Sequence, residues 1–248
     1  MKRRKYNYRN LTILIILFIL ALLLLFALLF GIYKVIVNAN SNSDEVNTSL
    51  TLPSNVDAKK TVVLDAGHGG YDGGSESSDG SVNEKDITLA ITLKTGKLLE
   101  DMGYKVIYTR TSDVVSWPSD EEQDLTSRVR VGEEANADVF VSIHTNASEV
   151  NDDGSNGNEV WVMPISNFNI ELATNINTEL SNLKYTSNRG VKDQVDNPIQ
   201  ILFWNRVPAV LVETGFINDS NDFAYMNSIT GQDRIAQAIA SGIDSTLK

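Results

Sequence analysis

The chain has 248 residues with 32 acidic and 21 basic side chains and no cysteine. That length suffices for one domain with a full core. A formal charge of −11 argues against a nucleic-acid or polyanion binder. The lack of cysteine excludes disulfides and leaves His, Asp and Glu as the side chains able to hold a metal.

Residues 1–10 read as a basic cytoplasmic tail, with Lys2, Arg3, Arg4, Lys5 and Arg9. Ile13 to Ile32 is an uncharged run made almost wholly of Ile, Leu, Phe and Ala. As a helix, about 20 residues rise roughly 30 Å, the thickness of a bilayer's hydrocarbon core. The basic flank predicts a single-pass anchor over 11–37 with its N-terminus inside and everything after it outside. A signal peptide cleaved near Val37-Asn38-Ala39, giving an exported protein, is the competing reading. The apolar run exceeds the usual signal length of about 7–15 residues. Beyond Val35 the chain holds 15 basic against 32 acidic residues, a formal −17. Residues 38–60, rich in Asn, Ser, Asp and Thr, read as a flexible linker, and 61–248 as one folded domain.

Val62-Val63-Leu64 is short, apolar and β-branched, which predicts a buried strand. It runs into Asp65-Ala66-Gly67-His68-Gly69-Gly70, a glycine loop that presents one of the chain's two histidines. A helix follows over 84–100, with Ile87, Ile91, Leu98 and Leu99 in a 3.6-residue period. Ser81-Val82-Asn83-Glu84 has the spacing of a capping box. Lys105–Arg110 predicts the next strand, so a βαβ unit with parallel strands. Thr111–Gln123 is a polar loop, and a helix starting at Asp124 or Thr126 runs to Asn136. Val139–Ile143 is a second apolar strand and delivers the other histidine, His144. Beyond it come a strand at 159–163, a helix near 169–183 and a short strand at 189–192. Ala209-Val210-Leu211-Val212 is a strong buried strand ending in Glu213, and the last helix, 229–247, carries Ile235, Ile239 and Ile243 in a stripe. The expected fold is α/β: a single domain with a mixed, mostly parallel twisted sheet and helices on both faces, preceded by one transmembrane helix.

Parallel strands bring their carboxyl ends to one edge of the sheet, where ligands of open α/β folds bind. His68, His144 and Glu213 each end such a strand, and Glu84 stands on the first turn of the helix beside that edge. Two imidazoles and a carboxylate with an open position are the donor set of catalytic zinc, with a second carboxylate nearby. Each residue alone also has a structural role open to it: a satisfied loop or core histidine, or a capping glutamate for Glu84. Glu213 is harder to place that way, because an unpaired carboxylate ending an apolar strand is costly to desolvate.

Four blocks now stand together: Asp65–Gly70, Asn83-Glu84-Lys85-Asp86, Ser142-Ile143-His144-Thr145-Asn146 and Leu211-Val212-Glu213-Thr214-Gly215-Phe216. With Thr109-Arg110 and Arg189–Lys192, they make the chain from Thr61 to about Lys248 resemble the zinc-dependent N-acetylmuramoyl-L-alanine amidases of the amidase-3 group. Ala66 stands where that family usually has Pro, and Asn218-Asp219 where it usually has Ser-Asn. The short span from His144 to Glu213 leaves little room for the long autoinhibitory insertion some members carry. The resemblance implies that His68, Glu84 and His144 ligate Zn2+ and that Glu213 is the catalytic carboxylate. The implied substrate is peptidoglycan, cut between the lactyl group of N-acetylmuramic acid and L-alanine.

Arg128 and Asn146 lie near the same edge as candidates for substrate contact, against a helix-face salt bridge and a turn. Trp117 reads as a sugar platform or a loop anchor, and Trp161 and Trp204 as core. Asp65 and Asp72 are candidates to orient a histidine from behind. Another zinc wall hydrolase and a non-catalytic wall-binding protein are the rival functions. The missing His-Glu-x-x-His pattern counts against common forms of the first, and the complete set of four chemical residues against the second.

Overall fold

The apolar runs of the sequence become the middle of one twisted sheet. The computed structural model describes residues 59–193 and 199–248, all within the second of the chain's two compact units, Asn55–Lys248. In chain order the elements are β1 (Lys59–Ala66), α1 (Glu84–Asp101), β2 (Tyr104–Tyr108), α2 (Glu121–Glu134), β3 (Val139–Asn146) and β4 (Asn158–Val162). They continue with α3 (Asn167–Asn182), β5 (Asn188–Asp193), α4 (Gln200–Phe203), β6 (Ala209–Phe216), α5 (Ser220–Met226) and α6 (Ile229–Leu247). The strands lie in the order β2-β1-β3-β6-β4-β5. β2, β1, β3 and β6 are mutually parallel, whereas β4 runs antiparallel to β6 and carries β5 parallel to itself. The sheet is therefore mixed and mostly parallel, as the sequence predicts.

Strand residues divide by parity between two cores. Val62, Leu64, Val141, Ile143, Val160 and Val212 face α1, α3 and α6, whose Ile91, Ile176 and Ile239 meet them fully buried. Val63, Phe140 and Leu211 face the other way, against Val129 of α2 and Ile201 and Leu202 of α4. Burial on both faces explains why these strands read as continuous apolar runs. Each such side chain contributes about 1.5–3 kcal/mol by leaving water. Among the described residues the second face is covered by α2 and the helical turn α4, and strand parity puts His144 and Glu213 on that face.

α2 starts earlier than the apolar period suggests, because Asp120 caps it by accepting from the Gln123 amide at 3.0 Å. Ser166 and Ser228 cap α3 and α6 in the same way. α4 and α5 were not expected; four and seven residues are too few to show a period. The Ser81–Glu84 capping box does not form: α1 begins at Glu84, its N-cap Asn83 makes no side-chain cap bond, and Ser81 turns to Asp79.

The single-pass membrane placement requires correction. Among the described residues no helix is long and apolar enough to cross a membrane. Even the longest, α6, is apolar on one stripe only and exposes Asp233 and Gln237 on the other side. The basic tail, the stretch 11–37 on which that expectation rested and most of the linker lie outside the described residues. β1 itself takes up Lys59 and Lys60, which composition places in the linker.

Candidate active site

β1 ends at Ala66 and hands the chain to Gly67, whose amide donates to the Ile143 carbonyl at 3.0 Å. A Cβ on Gly67 would lie 2.4 Å from the His144 ring, so only glycine lets that imidazole approach. His68 follows with φ +60°, a left-handed conformation that costs a non-glycine residue about 1–2 kcal/mol. Arg128 Nη2 donates to its carbonyl at 2.7 Å, and a pair of backbone bonds between Gly69 and Asp72 closes the turn behind it. Such held strain commonly marks a functional position.

The turn aims His68 at Glu84 and His144. His68 Nε2 lies 3.1 Å from Glu84 Oε2, and His144 Nδ1 lies 3.1 Å from Glu84 Oε1. The two rings stand edge to face with centroids 4.8 Å apart. One donor atom from each of the three residues falls within 4.8 Å of the others. Glu84 is 3 % exposed, and its oxygens also accept from the Ser75 and Thr145 amides. Burial would raise its pKa, but His144 and His68 bring it well below the usual carboxylate range. Burial would likewise depress His68, yet the carboxylates of Glu84 and Asp72 push it up to about 9. These mutual shifts describe an acid cluster that attracts positive charge. Two imidazole nitrogens and one carboxylate suit zinc by donor type, and Gly74 leaves the room: a Cβ there would meet His68 Cδ2 at 2.7 Å and Glu84 Oε2 at 2.8 Å.

Glu213 stands directly beside this cluster, in register with His144 on β3 and with Glu159 on β4. Its Oε2 is buried without a hydrogen-bond partner. Burial, then the charges of Glu84 and Glu159, push its pKa well above the usual carboxylate range, with His68 opposing. A buried carboxylate of raised proton affinity beside two imidazoles is suited to accept and return a proton.

Behind the site, Asp72 Oδ2 holds His68 Nδ1 at 2.7 Å and so fixes the ring from the far side. Asp65 touches neither ring closely. It binds Arg128 Nη1 at 2.9 Å and accepts from the Ser142 and Thr109 hydroxyls. Burial would raise its pKa, but Arg128 and those hydroxyls lower it. Arg128 is 3 % exposed and donates to Asp124, Asp65, Ala66 and His68. Asn146 donates to Glu159 at 3.0 Å and accepts from the Ala147 amide. The Trp117 ring lies against the Arg128 guanidinium at 4.7 Å, and Trp161 packs on the second core while donating to Glu159.

A cleft of about 570 Å³ opens beside the two histidines, between the His68 loop and helices α2 and α4; Tyr71, Asp72, Glu121 and Leu125 are among its lining residues. Sequence reasoning missed Glu159, a carboxylate only 2 % exposed that also binds Arg189 Nε at 2.7 Å. The signal was available, since Glu159 opens an apolar strand run much as Glu213 closes one.

The profile of one family, described as N-acetylmuramoyl-L-alanine amidase, matches residues 62–245. An uncharacterized protein of Bacillus subtilis, YqiI, is 33 % identical over 190 residues, 75 % of this chain and 84 % of that protein. The probable cell wall amidase LytH of Staphylococcus epidermidis is 33 % identical over 194 residues, 78 % of this chain but 60 % of LytH. The CwlD amidase of Clostridioides difficile, solved in complex with the GerS lipoprotein, superposes with a TM-score of 0.68 at 37 % identity, covering 76 % of this chain and 98 % of CwlD.

Proposed function

The chain belongs to the Amidase_3 family of N-acetylmuramoyl-L-alanine amidases, and from that premise we propose how its site performs the cleavage. The enzyme is a peptidoglycan amidase of the cell wall or spore cortex. It hydrolyses the amide between the lactyl group of N-acetylmuramic acid and the L-alanine of the stem peptide. The observation that supports the mechanism is the meeting of His68, Glu84 and His144 within 4.8 Å, beside the unpaired buried oxygen of Glu213.

His68 Nε2, His144 Nδ1 and the Glu84 carboxylate would hold Zn2+, with Asp72 fixing the His68 ring. When bound, the ion supplies Lewis acidity to the scissile carbonyl and to water. Glu213 takes a proton from the attacking water and delivers it to the nitrogen of the departing alanine. The carbon–oxygen bond forms, the carbon–nitrogen bond breaks, and a lactyl carboxylate and a free N-terminal alanine result. Arg128 acts as a positioning residue, holding the His68 carbonyl and with it the left-handed turn. Asn146 lines the edge with its amide tied to Glu159.

Glu213→Ala tests this reading. Zinc content should match wild type, while release of N-terminal alanine from muramoyl peptides, followed by mass spectrometry, should fall about 10²–10⁴-fold. Undiminished turnover would remove Glu213 from the mechanism. A freed amino sugar in place of a lactyl carboxylate would mark a deacetylase.

A further inference from the structure

Two irregularities in the sheet flank the site. Between His144 and Asn146 the β3–β6 pairing slips, so that Phe216 rather than Gly215 comes opposite Asn146. Between Asn158 and Glu159 the β4–β5 pairing slips as well, leaving Arg189 as the extra residue beside Gly190 at φ +84°. Bulges of this kind re-aim side chains next to active sites. Here both turn their residues to the same place. The Arg189 guanidinium lies 5.0 Å from the centroid of the buried Phe216 ring, and its Nε is held at 2.7 Å by Glu159. Glycine at 157 makes room for this, since a Cβ there would be 2.6 Å from Arg189 Cγ.

A buried carboxylate, an aromatic face and a glycine thus fix one arginine whose side chain stays 40 % exposed. Among the described residues neither Nη group has a protein acceptor. The other cations around the site are engaged. Arg128 and Arg110 are buried and donate to backbone carbonyls of the His68 loop, and Lys85 donates to Gly70 and Asp113. The site is otherwise lined by acid: Asp72, Glu84, Glu159 and Glu213. An anionic substrate group would be repelled from it unless a cation received it.

We infer that Arg189 is a specificity-determining residue whose free guanidinium edge receives the carboxylate of the second stem-peptide residue, with Glu159 as its positioning residue. The inference rests on the amidase reading above. Its reach is consistent with the scaffold. Arg189 bends back to Glu159, which pairs with Glu213 across one strand spacing of roughly 4.8 Å. A carboxylate two residues along an extended peptide lies about 7 Å from the scissile amide. The paired Nη–H groups match the two oxygens of a carboxylate, a fork a lysine cannot reproduce.

The test compares two muramoyl peptides that differ only in carrying a free carboxylate or a carboxamide on the second stem residue, using the full chain loaded with zinc. Wild type should prefer the carboxylate by about tenfold or more in kcat/KM, the effect of one charge-assisted pair. Arg189→Gln, which keeps a donor for Glu159, should bring that preference to within about twofold, chiefly through KM, with zinc content unchanged. Arg189→Lys should restore part of it. Equal rates for the two peptides in wild type, or an unaltered preference in Arg189→Gln, would overturn the subsite while leaving the amidase reading intact. Wild type that cuts neither peptide would overturn both.

Discussion

The carboxylates of Glu84 and Asp72 favour a proton on His68. With burial opposing, Glu84 and Asp72 raise this imidazole from 6.5 to about 9. A raised pKa means that the protonated ring stabilises the folded state fully below pH 6.5, and that this contribution is lost as pH rises through about 9. A cation at Nε2 has to displace the same proton. Zinc uptake at pH 7.5 should therefore release about one proton, measured by calorimetric titration in buffers of different ionisation enthalpy, and the release should fade by about pH 10. Uptake at pH 7.5 without proton release would exclude His68 as a ligand. The two histidines were legible because the chain has no others, and Glu213 because a charge ends an apolar strand. Glu84 was ambiguous, since a first-turn glutamate serves a helix cap equally well; its choice of partner depends on the His68 turn, which no local spacing encodes. Asp72 and Asp65 looked alike in sequence. The left-handed turn at His68 gives the ring to Asp72, while Asp65 serves Arg128.

At the scale of elements, α6 lies between α1 and α3 and is fixed there by a close backbone approach. A Cβ on Gly242 would lie 2.5 Å from the Ile176 Cα, which is backbone and cannot swing aside. Gly242→Ala gains about 1 kcal/mol of helix propensity but forces the helices apart, and overpacking of this kind costs about 1–3 kcal/mol. Thermal melting should show a net loss of up to about 2 kcal/mol, a fall of several degrees at roughly 2–4 °C per kcal/mol for a domain of this size. Zinc content below the melt should be unchanged, because neither α3 nor α6 carries a residue proposed to hold the ion. A melt at or above the wild-type temperature would mean that α3 and α6 can separate freely. The stripe on α6 that makes this packing was plain in the sequence. The reversed direction of β4 was not, because alternation tells which residues are buried and nothing about which way a strand runs. That reversal is what places Glu159 opposite Glu213.

For the whole domain, the proposed metal site would be a clasp between segments far apart in the chain. His68 follows β1, Glu84 opens α1 and His144 ends β3, so that an ion shared by the three joins one edge of the sheet to a helix on its first face. The same edge gathers Glu84, Glu159, Glu213 and Asp72 in a chain that carries a formal −17 beyond Val35. Removing a dication leaves those charges to repel one another, relieved only in part by the proton on His68. A ligand that binds only the folded form stabilises it by about 4 kcal/mol at a thousand times its dissociation constant. Chelation of the purified full chain should then lower the melting temperature by about 8–16 °C, at roughly 2–4 °C per kcal/mol. Added zinc should restore it. Glu84→Ala should melt low from the start and ignore the chelator, since a lost ligand and a lost ion are then the same defect. If the wild-type melt does not move on chelation, the three residues do not share an ion, and the closeness of their donor atoms has to be explained by the His68 proton alone.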